Sequence, residues 1–380
     1  MTRGMTIVVS TNLGPNLTRG KLLPLAALPE VREIVAVQDV AGPDMPKVRY
    51  VALGRPRVGK LAHACLRCMA LCVEIVRARA SVVMGIYMMP HGLLAYLLGR
   101  LTGRHVCIHV IGGPKEVMDG GYWLDQWPVT RPSRRIEALY LQVLRRTDAV
   151  MVVGSETKKY LVRGGVDADR IHVMSSKIDA RRFRPLPDTQ YDYDLILTAQ
   201  LIARKRVDLF LRIVEALQRR HPGLRAAILG DGPLRGDLER LADRLGIADR
   251  LDFLGFHEDT ERYYTRSRIF VLTSSAEGLS LAMLEAMACG VPPVVPAVGD
   301  LADVVTNGVT GYLVEEHDPD AFVTTLSELL EHEPRRLELG QNARAAILRG
   351  YTVEDGTRGW HAVLDRMLPG ATWSLLRHNT

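Results

Sequence analysis

Two glutamates eight positions apart, Glu277 and Glu285, lie in the stretch SSAEGLSLAMLEAMACGVPPVV over residues 274–295. An apolar, β-type run ends at Thr273, a turn passes through Glu277 and Gly278, and a helical pattern begins near Ser280. The first turn of a helix carries backbone N–H groups without intrahelical partners, and these suit an anion such as a diphosphate. Glu277 at the turn either accepts hydrogen bonds from sugar hydroxyls or serves only as a turn residue. Glu285 lies inside the helix among small and apolar neighbours, where a carboxylate needs a ligand hydroxyl or a paired cation.

Other segments carry weaker signals. LGDGP (229–233) follows an apolar run, and its glycines permit a tight turn and close approach of a ligand. AQLIARKRVDLF (199–210) sets Arg204, Lys205 and Arg206 between a strand and a helix, where a cation either neutralises phosphates or faces solvent. His109 ends the run VCIHV and is followed by IGGP, while His91 stands in PHG before a helical pattern. At the carboxyl end of a parallel strand a histidine faces the ligand side of an α/β sheet; the alternative for both is a hydrogen-bonded structural role. LGDGP is not GxGxxG and has no suitably placed acid after it, which disfavours a nucleotide-dependent dehydrogenase. P-loop, HExxH and GxSxG patterns are absent, and no compact His, Asp or Cys cluster predicts a metal site.

The elements that must position these residues repeat twice. Strand-like runs at 7–10, 33–37, 81–85, 106–110 and 149–153 alternate with amphipathic runs such as 61–78 and 92–101. Alternation of this kind predicts right-handed crossovers and a parallel sheet. Residues 119–132, rich in Gly, Trp, Tyr and Pro, read as a loop over a site. After the proline-punctuated segment 181–194 the pattern restarts. Strands are expected at 195–198, 225–229, 251–254, 269–273 and 293–295, and helices at 207–220, 234–245, 281–288, 321–330 and 334–348. A last helix, 353–368, has Trp360, Val363, Leu364 and Met367 on one face. The reading is α/β, with two parallel-sheet domains and a cleft between them.

With 380 residues the chain is long enough for two cores. Residues 1–186 carry 28 Lys and Arg against 14 Asp and Glu, and the remainder carry 21 against 29. A basic first half suits an anionic partner such as a phospholipid surface or a phosphorylated acceptor. Nucleic-acid signatures are absent. Neither a secretory leader nor an 18-residue apolar span is evident. Cys65, Cys68 and Cys72 lie on one face of 61–76, and this helix is expected to pack into the core. The competing reading is an interfacial helix beside Arg55, Arg57, Lys60 and Arg67.

The ordered series of motifs resembles a retaining, nucleotide-sugar-dependent glycosyltransferase of family 4 (glycosyl transferases group 1). The matching segments are 147–185, AQLIARKRVDL, LGDGPLRGDLERLADRLGIADRLDFLGF, EGLSLAMLEAMACGVPPVV and NGVTGYLV, which together span most of 147–315. Residues 1–146 match only in layout.

The resemblance implies a GT-B fold of two Rossmann-like domains. Residues 1–186 would bind the acceptor and 187–352 the donor, and the helix within 353–380 would return to the first domain. Glu285 would hold the donor ribose, and Glu277 the hydroxyls of the transferred sugar. Backbone N–H groups of Gly278, Leu279 and Ser280 would meet sugar and phosphates, with Lys205 at the diphosphate. Leu254 and Gly255 would lie near the base, His109 would face the reacting sugar, and Gly14 would approach the diphosphate and acceptor. No protein nucleophile and no metal is implied. The only cofactor-like molecule is the nucleotide-diphosphate sugar, as co-substrate.

Three positions depart from the family pattern. Gln200 replaces a phosphate-binding arginine, for which Arg204 or Arg206 would compensate, SSKID (175–179) replaces PNGVD, and the first loop reads TNLGPNLTRG (11–20). Expected partners are a nucleotide-sugar donor and a small-molecule or lipid-linked acceptor, with peripheral contact to an anionic membrane and no nucleic acid. The expected location is cytoplasmic, at the inner face of the membrane. Competing functions are a non-catalytic nucleotide-sugar-binding or scaffold homologue and a GT-B UDP-sugar epimerase.

Overall fold

The computed structural model describes residues 4–54, 59–124, 131–187, 190–315 and 318–368. Arg55, Arg57, part of the 119–132 loop and the end of the chain beyond 368 lie outside the described residues, as do the side chains of Lys60 and Leu61. The chain divides into two compact units, Met1–Lys177 with Val353–Thr380, and Ile178–Thr352.

The first unit holds a parallel sheet of β1 (Met5–Ser10), β2 (Val31–Gln38), β3 (Val48–Ala52), β4 (Val82–Ile86), β5 (His105–Val110), β6 (Ala149–Val152) and β7 (Ile171–Val173). Their order is β3-β2-β1-β4-β5-β6-β7. Central strands such as β1 and β4 are buried along their whole length, because helices cover both faces of a parallel sheet. The helix Val353–Met367 belongs to this unit. Trp360, Val363, Leu364 and Met367 are all buried, and Thr357 donates to Pro24 O at 3.1 Å on the helix Pro15–Ala26.

The second unit holds β8 (Tyr193–Thr198), β9 (Ala226–Leu229), β10 (Leu251–Gly255), β11 (Ser267–Val271), β12 (Pro293–Pro296) and β13 (Tyr312–Val314), in the order β10-β9-β8-β11-β12-β13. In both sheets the order reverses next to the first strand, between β1 and β4 and between β8 and β11. Ligands of open α/β sheets bind beyond the carboxyl ends of the strands at such a switch point.

The first cut falls at Lys177, ahead of residue 186. Hydrogen bonds set it: Lys177 N donates to Gly20 O at 2.9 Å in the first unit, and Ile178 N to Tyr351 O at 2.8 Å in the second. The helix Lys60–Arg77 also departs from the expected core helix. Leu71 and Ile75 are fully buried, but Leu66, Met69, Val73 and Val76 are exposed, Cys65 is exposed, and Cys68 and Cys72 are half-buried. A stripe at spacings of three and four residues is free to pack because the adjoining sheet needs only one face of the helix. Arg67 is not part of a basic rim: it is buried, donates to Thr11 O and Val37 O at 3.0 and 3.1 Å, and pairs with Asp39.

Candidate functional site

In the second unit the switch point brings together the loops that follow β8 and β11. Thr273 Oγ1 donates to Lys205 O and Arg206 O at 3.1 and 2.9 Å, and Ser275 N donates to Arg204 O at 2.9 Å. Stitched in this way, the loops place Lys205 Nζ 2.5 Å from Glu277 Oε1. Both side chains are largely withdrawn from solvent. Burial alone would raise the Glu277 carboxyl, but the charges of Lys205 and Arg204 and the hydrogen bond from Lys205 outweigh it and hold the group below its ordinary value.

Gly299 lies under this turn. A Cβ there would stand 2.0 Å from Glu277 O, and its φ of +59° suits glycine. Asp300 N donates to Gly278 O at 3.0 Å, which fixes the next peptide. Ser280 caps the helix Leu281–Ala288, its side chain accepting from Met283 N at 3.3 Å. Gly278, Leu279 and Ser280 are buried beside the pair.

Glu285 sits one layer deeper in the same helix and finds no cation in hydrogen-bond contact among the described residues. Its Oε2 accepts from Thr260 Oγ1 at 3.1 Å and Tyr264 Oη at 3.2 Å. Burial pushes its carboxyl up to about 7, against the pull of those hydroxyls and of Arg182. Thr260 and Tyr264 were not legible as site residues, since each is one of several hydroxyls in the polar stretch HEDTERYYTRSR (257–268).

The loops after β8, β9 and β10 also meet. Gly230 N donates to Gly255 O at 2.8 Å, and a Cβ on Gly230 would stand 1.9 Å from Ala199 O. Gln200 is exposed at this edge, Leu254 and Gly255 are half-buried, and Phe256 is 63% exposed. Of the two arginines considered as substitutes for the missing charge, Arg206 pairs with Asp208 at 3.1 Å. Arg204 stays beside the turn, with Nη1 3.4 Å from Ala276 O and a buried Nε that has no partner among the described residues.

The first unit places its own polar groups at carboxyl ends of strands. Ser10 Oγ, at the end of β1, is 3.0 Å from His91 Nδ1, so the sequence PHG supplies a bonded structural histidine at the switch point. Gly14 is exposed, with open space where a side chain would be, but the helix begins at Pro15, so the loop ends well before Gly20. His109, at the end of β5, is 1% exposed. Its Nε2 lies 3.0 Å from both Lys21 Nζ and Met174 O. Glu116 anchors the following turn, accepting from Met88 N, Ile111 N and Gly112 N at 2.6, 2.8 and 2.6 Å. Lys21 and Glu116 carried no signal in the sequence, because neither belongs to a recognisable spacing. Among the described residues no three His, Cys, Asp or Glu side chains gather as metal ligands.

Residues 8–176 match the profile of the glycosyl transferase 4-like domain, and residues 180–346 that of glycosyl transferases group 1. The chain belongs to the group 1 glycosyl transferases of family 4. The chain is 34% identical over 235 residues to a D-inositol 3-phosphate glycosyltransferase of Xylanimonas cellulosilytica, covering 55% of this chain and 54% of that protein. It is 30% identical over 228 residues to a GDP-mannose-dependent alpha-(1-6)-phosphatidylinositol monomannoside mannosyltransferase of Mycolicibacterium smegmatis, covering 55% and 58%. The matches thus span about half the length of these curated relatives. Among solved structures it is similar to the sucrose-phosphate synthase of Thermosynechococcus elongatus, with TM-score 0.79, 18% identity and 96% and 99% of the two chains covered. It is also similar to HepE of Anabaena in complex with UDP and glucose, with TM-score 0.76, 16% identity and 95% and 99% covered. These likenesses show that the chain has the GT-B fold.

Proposed function

We propose that this chain is a retaining glycosyltransferase that moves a sugar from a nucleotide-diphosphate donor to an acceptor hydroxyl. The observation that carries the reading is the Lys205–Glu277 pair, largely withdrawn from solvent at the switch point of the second unit, with buried Glu285 in the helix that follows. The family motif names these positions, and the fold pairs two of them, Lys205 and Glu277. In this reading Glu285 holds the ribose hydroxyls, Glu277 binds the sugar, and Lys205 and Arg204 meet the diphosphate. The N–H groups of Gly278, Leu279 and Ser280 add donors where charge develops on the leaving phosphate. Leu254 and Gly255 border the base, and exposed Phe256 lies next to them. His109 and Gly14 belong to the acceptor and reacting-sugar side.

The bond from anomeric carbon to phosphate oxygen breaks, and the acceptor oxygen bonds to that carbon on the same face. Its proton passes to the departing phosphate oxygen. Positioning and neutralisation of the leaving group therefore carry the catalysis, and no enzyme carboxylate is needed as nucleophile. In this reading Arg204, beside the Glu277 turn, supplies the charge that Gln200 lacks, which favours an active enzyme over a binding-only homologue.

The acceptor is read as a phosphorylated polyol or its lipid-linked form. The first half of the chain is basic, and the matched relatives are named for inositol phosphate and phosphatidylinositol monomannoside. The exposed stripe Leu66, Met69, Val73 and Val76 supports peripheral contact with an anionic membrane from the cytoplasmic side. Among the described residues no helix is long and apolar enough to cross one.

The test uses the purified chain with UDP-, GDP-, ADP- and dTDP-sugars, read by thermal shift and nucleotide release. A donor at about 100 times its Kd adds about 2.7 kcal/mol of stability. One donor raising Tm, with slow hydrolysis that quickens on adding inositol phosphate, is the expected result. Tm unmoved by every donor rejects the reading. Binding without turnover, with or without acceptors, selects the binding-only homologue, and release of the nucleotide with a free epimerised sugar selects the epimerase.

A further inference from the structure

We propose that Lys21 is a positioning residue for His109: its ammonium donates to Nε2, so the imidazole stays neutral and carries its proton on Nδ1. Lys21 occupies the middle of the helix Pro15–Ala26 and is 3% exposed. A buried ammonium is costly unless its hydrogens find acceptors. Among the described residues its ammonium bonds to His109 Nε2 at 3.0 Å and Met174 O at 3.4 Å. An ammonium has three N–H groups and no lone pair. Facing one, Nε2 must present its lone pair, and both contacts of Nζ are then donations. The other arrangement needs Lys21 as a neutral amine, whose lone pair would share the Nε2 proton with Met174 O, 3.0 Å away.

The surroundings act on the pair from each packed element. Burial and Lys177, in the loop after β7, press Lys21 toward the neutral amine, and Glu116, in the turn after β5, pulls it back. Burial and Lys21 together press His109 away from the imidazolium, against the bond that a protonated Nε2 would donate to Met174 O. Asp355 and Arg358, on the last helix, act on Lys177 in opposite senses. A cation already 3.0 Å from the ring makes a second positive charge there unfavourable. His109 then offers a fixed N–H rather than an exchangeable acid proton. That this N–H serves the transferred sugar rests on the proposed function; the tautomer itself does not.

The experiment is imidazole NMR on the full chain labelled with 15N-histidine, from pH 5.5 to 8.5, with His109 assigned by its disappearance in His109→Gln. The expected result is an unprotonated Nε2 and protonated Nδ1 throughout, with no titration near the ordinary histidine value of about 6.5. A protonated Nε2, or a ring that titrates near 6.5, overturns the proposal in the wild-type spectrum alone. In Lys21→Met the proton is expected to move to Nε2, bonded to Met174 O, while Lys21→Arg keeps it on Nδ1. A tautomer unchanged in Lys21→Met also overturns it. With donor and acceptor present, Lys21→Met should lower kcat about tenfold or more with donor KM within about twofold. An unchanged kcat removes the positioning role. A protein that binds no nucleotide sugar yet shows the Nδ1–H ring defeats the functional reading and leaves the Lys21–His109 bond standing.

Discussion

Glu285 keeps its carboxyl in a site that resists charge, and this makes its role measurable. Its folded value of about 7 lies above the ordinary 4.5, as does that of Glu116. Between those values the folded chain binds more protons than the unfolded chain, so stability falls as pH rises through the window. The full effect at Glu285 is about 3 kcal/mol. Glu285→Gln is therefore expected to gain on wild type as pH goes from 5 to 8, read by urea unfolding at both ends; parallel curves would place the charge cost elsewhere. Glu285→Ala should weaken donor binding roughly tenfold or more while the circular dichroism spectrum stays native, and undiminished affinity in calorimetry would sink the ribose assignment. For the neighbouring pair the expectation differs in kind. Lys205→Met strands the Glu277 carboxylate in a buried place and should cost about 3 kcal/mol. Adding Glu277→Gln should restore much of that loss, and a double-mutant cycle with purely additive terms would mean the two groups do not interact.

Among the elements, loops at the carboxyl ends of β8 and β11 decide whether the pair forms. Gly299→Ala forces a Cβ against the Glu277 carbonyl and should cost at least about 2 kcal/mol, with donor affinity falling alongside; a variant of native stability and affinity would show that the turn can give way. Central strands, the helix Leu281–Ala288 and the placement of Lys205 and Glu277 in turns and Glu285 in that helix were legible because apolar runs and motif spacing are local properties of the chain. The edge strands β3, β7 and β13 were not. Each has a neighbour on one side only, β7 and β13 have three residues, and β3 is a five-residue run, VRYVA, with Arg49 within it and no residue fully buried. The helix Pro15–Ala26 also escaped notice, since Gly20 and Pro24 interrupt its pattern and its stability comes from packing on the last helix. With it went Lys21, whose meaning depends on a contact with a residue 88 positions away. The helix Lys60–Arg77 shows the reverse error: its periodicity was visible, but which apolar face would be covered was not.

At the level of the whole molecule, the uncovered stripe makes a prediction of its own. The chain should sediment with phosphatidylglycerol vesicles at low salt and release at high salt, and Met69→Glu with Val73→Glu should abolish the association without lowering Tm. Equal retention of the double variant would remove the stripe as the contact. Trp360→Ala, which hollows the seat of the last helix, should destabilise the first unit by about 3 kcal/mol and leave the melting of the second unit in place, resolved by calorimetry. The sequence positions of that helix also order events during synthesis. The second unit is one uninterrupted segment, whereas the first is written in two pieces with the whole of 178–352 between them. As the ribosome delivers the chain, the sheet that carries His109 emerges first but lacks the Trp360 face until the final stretch appears, so the later-made unit is complete before the earlier one can close.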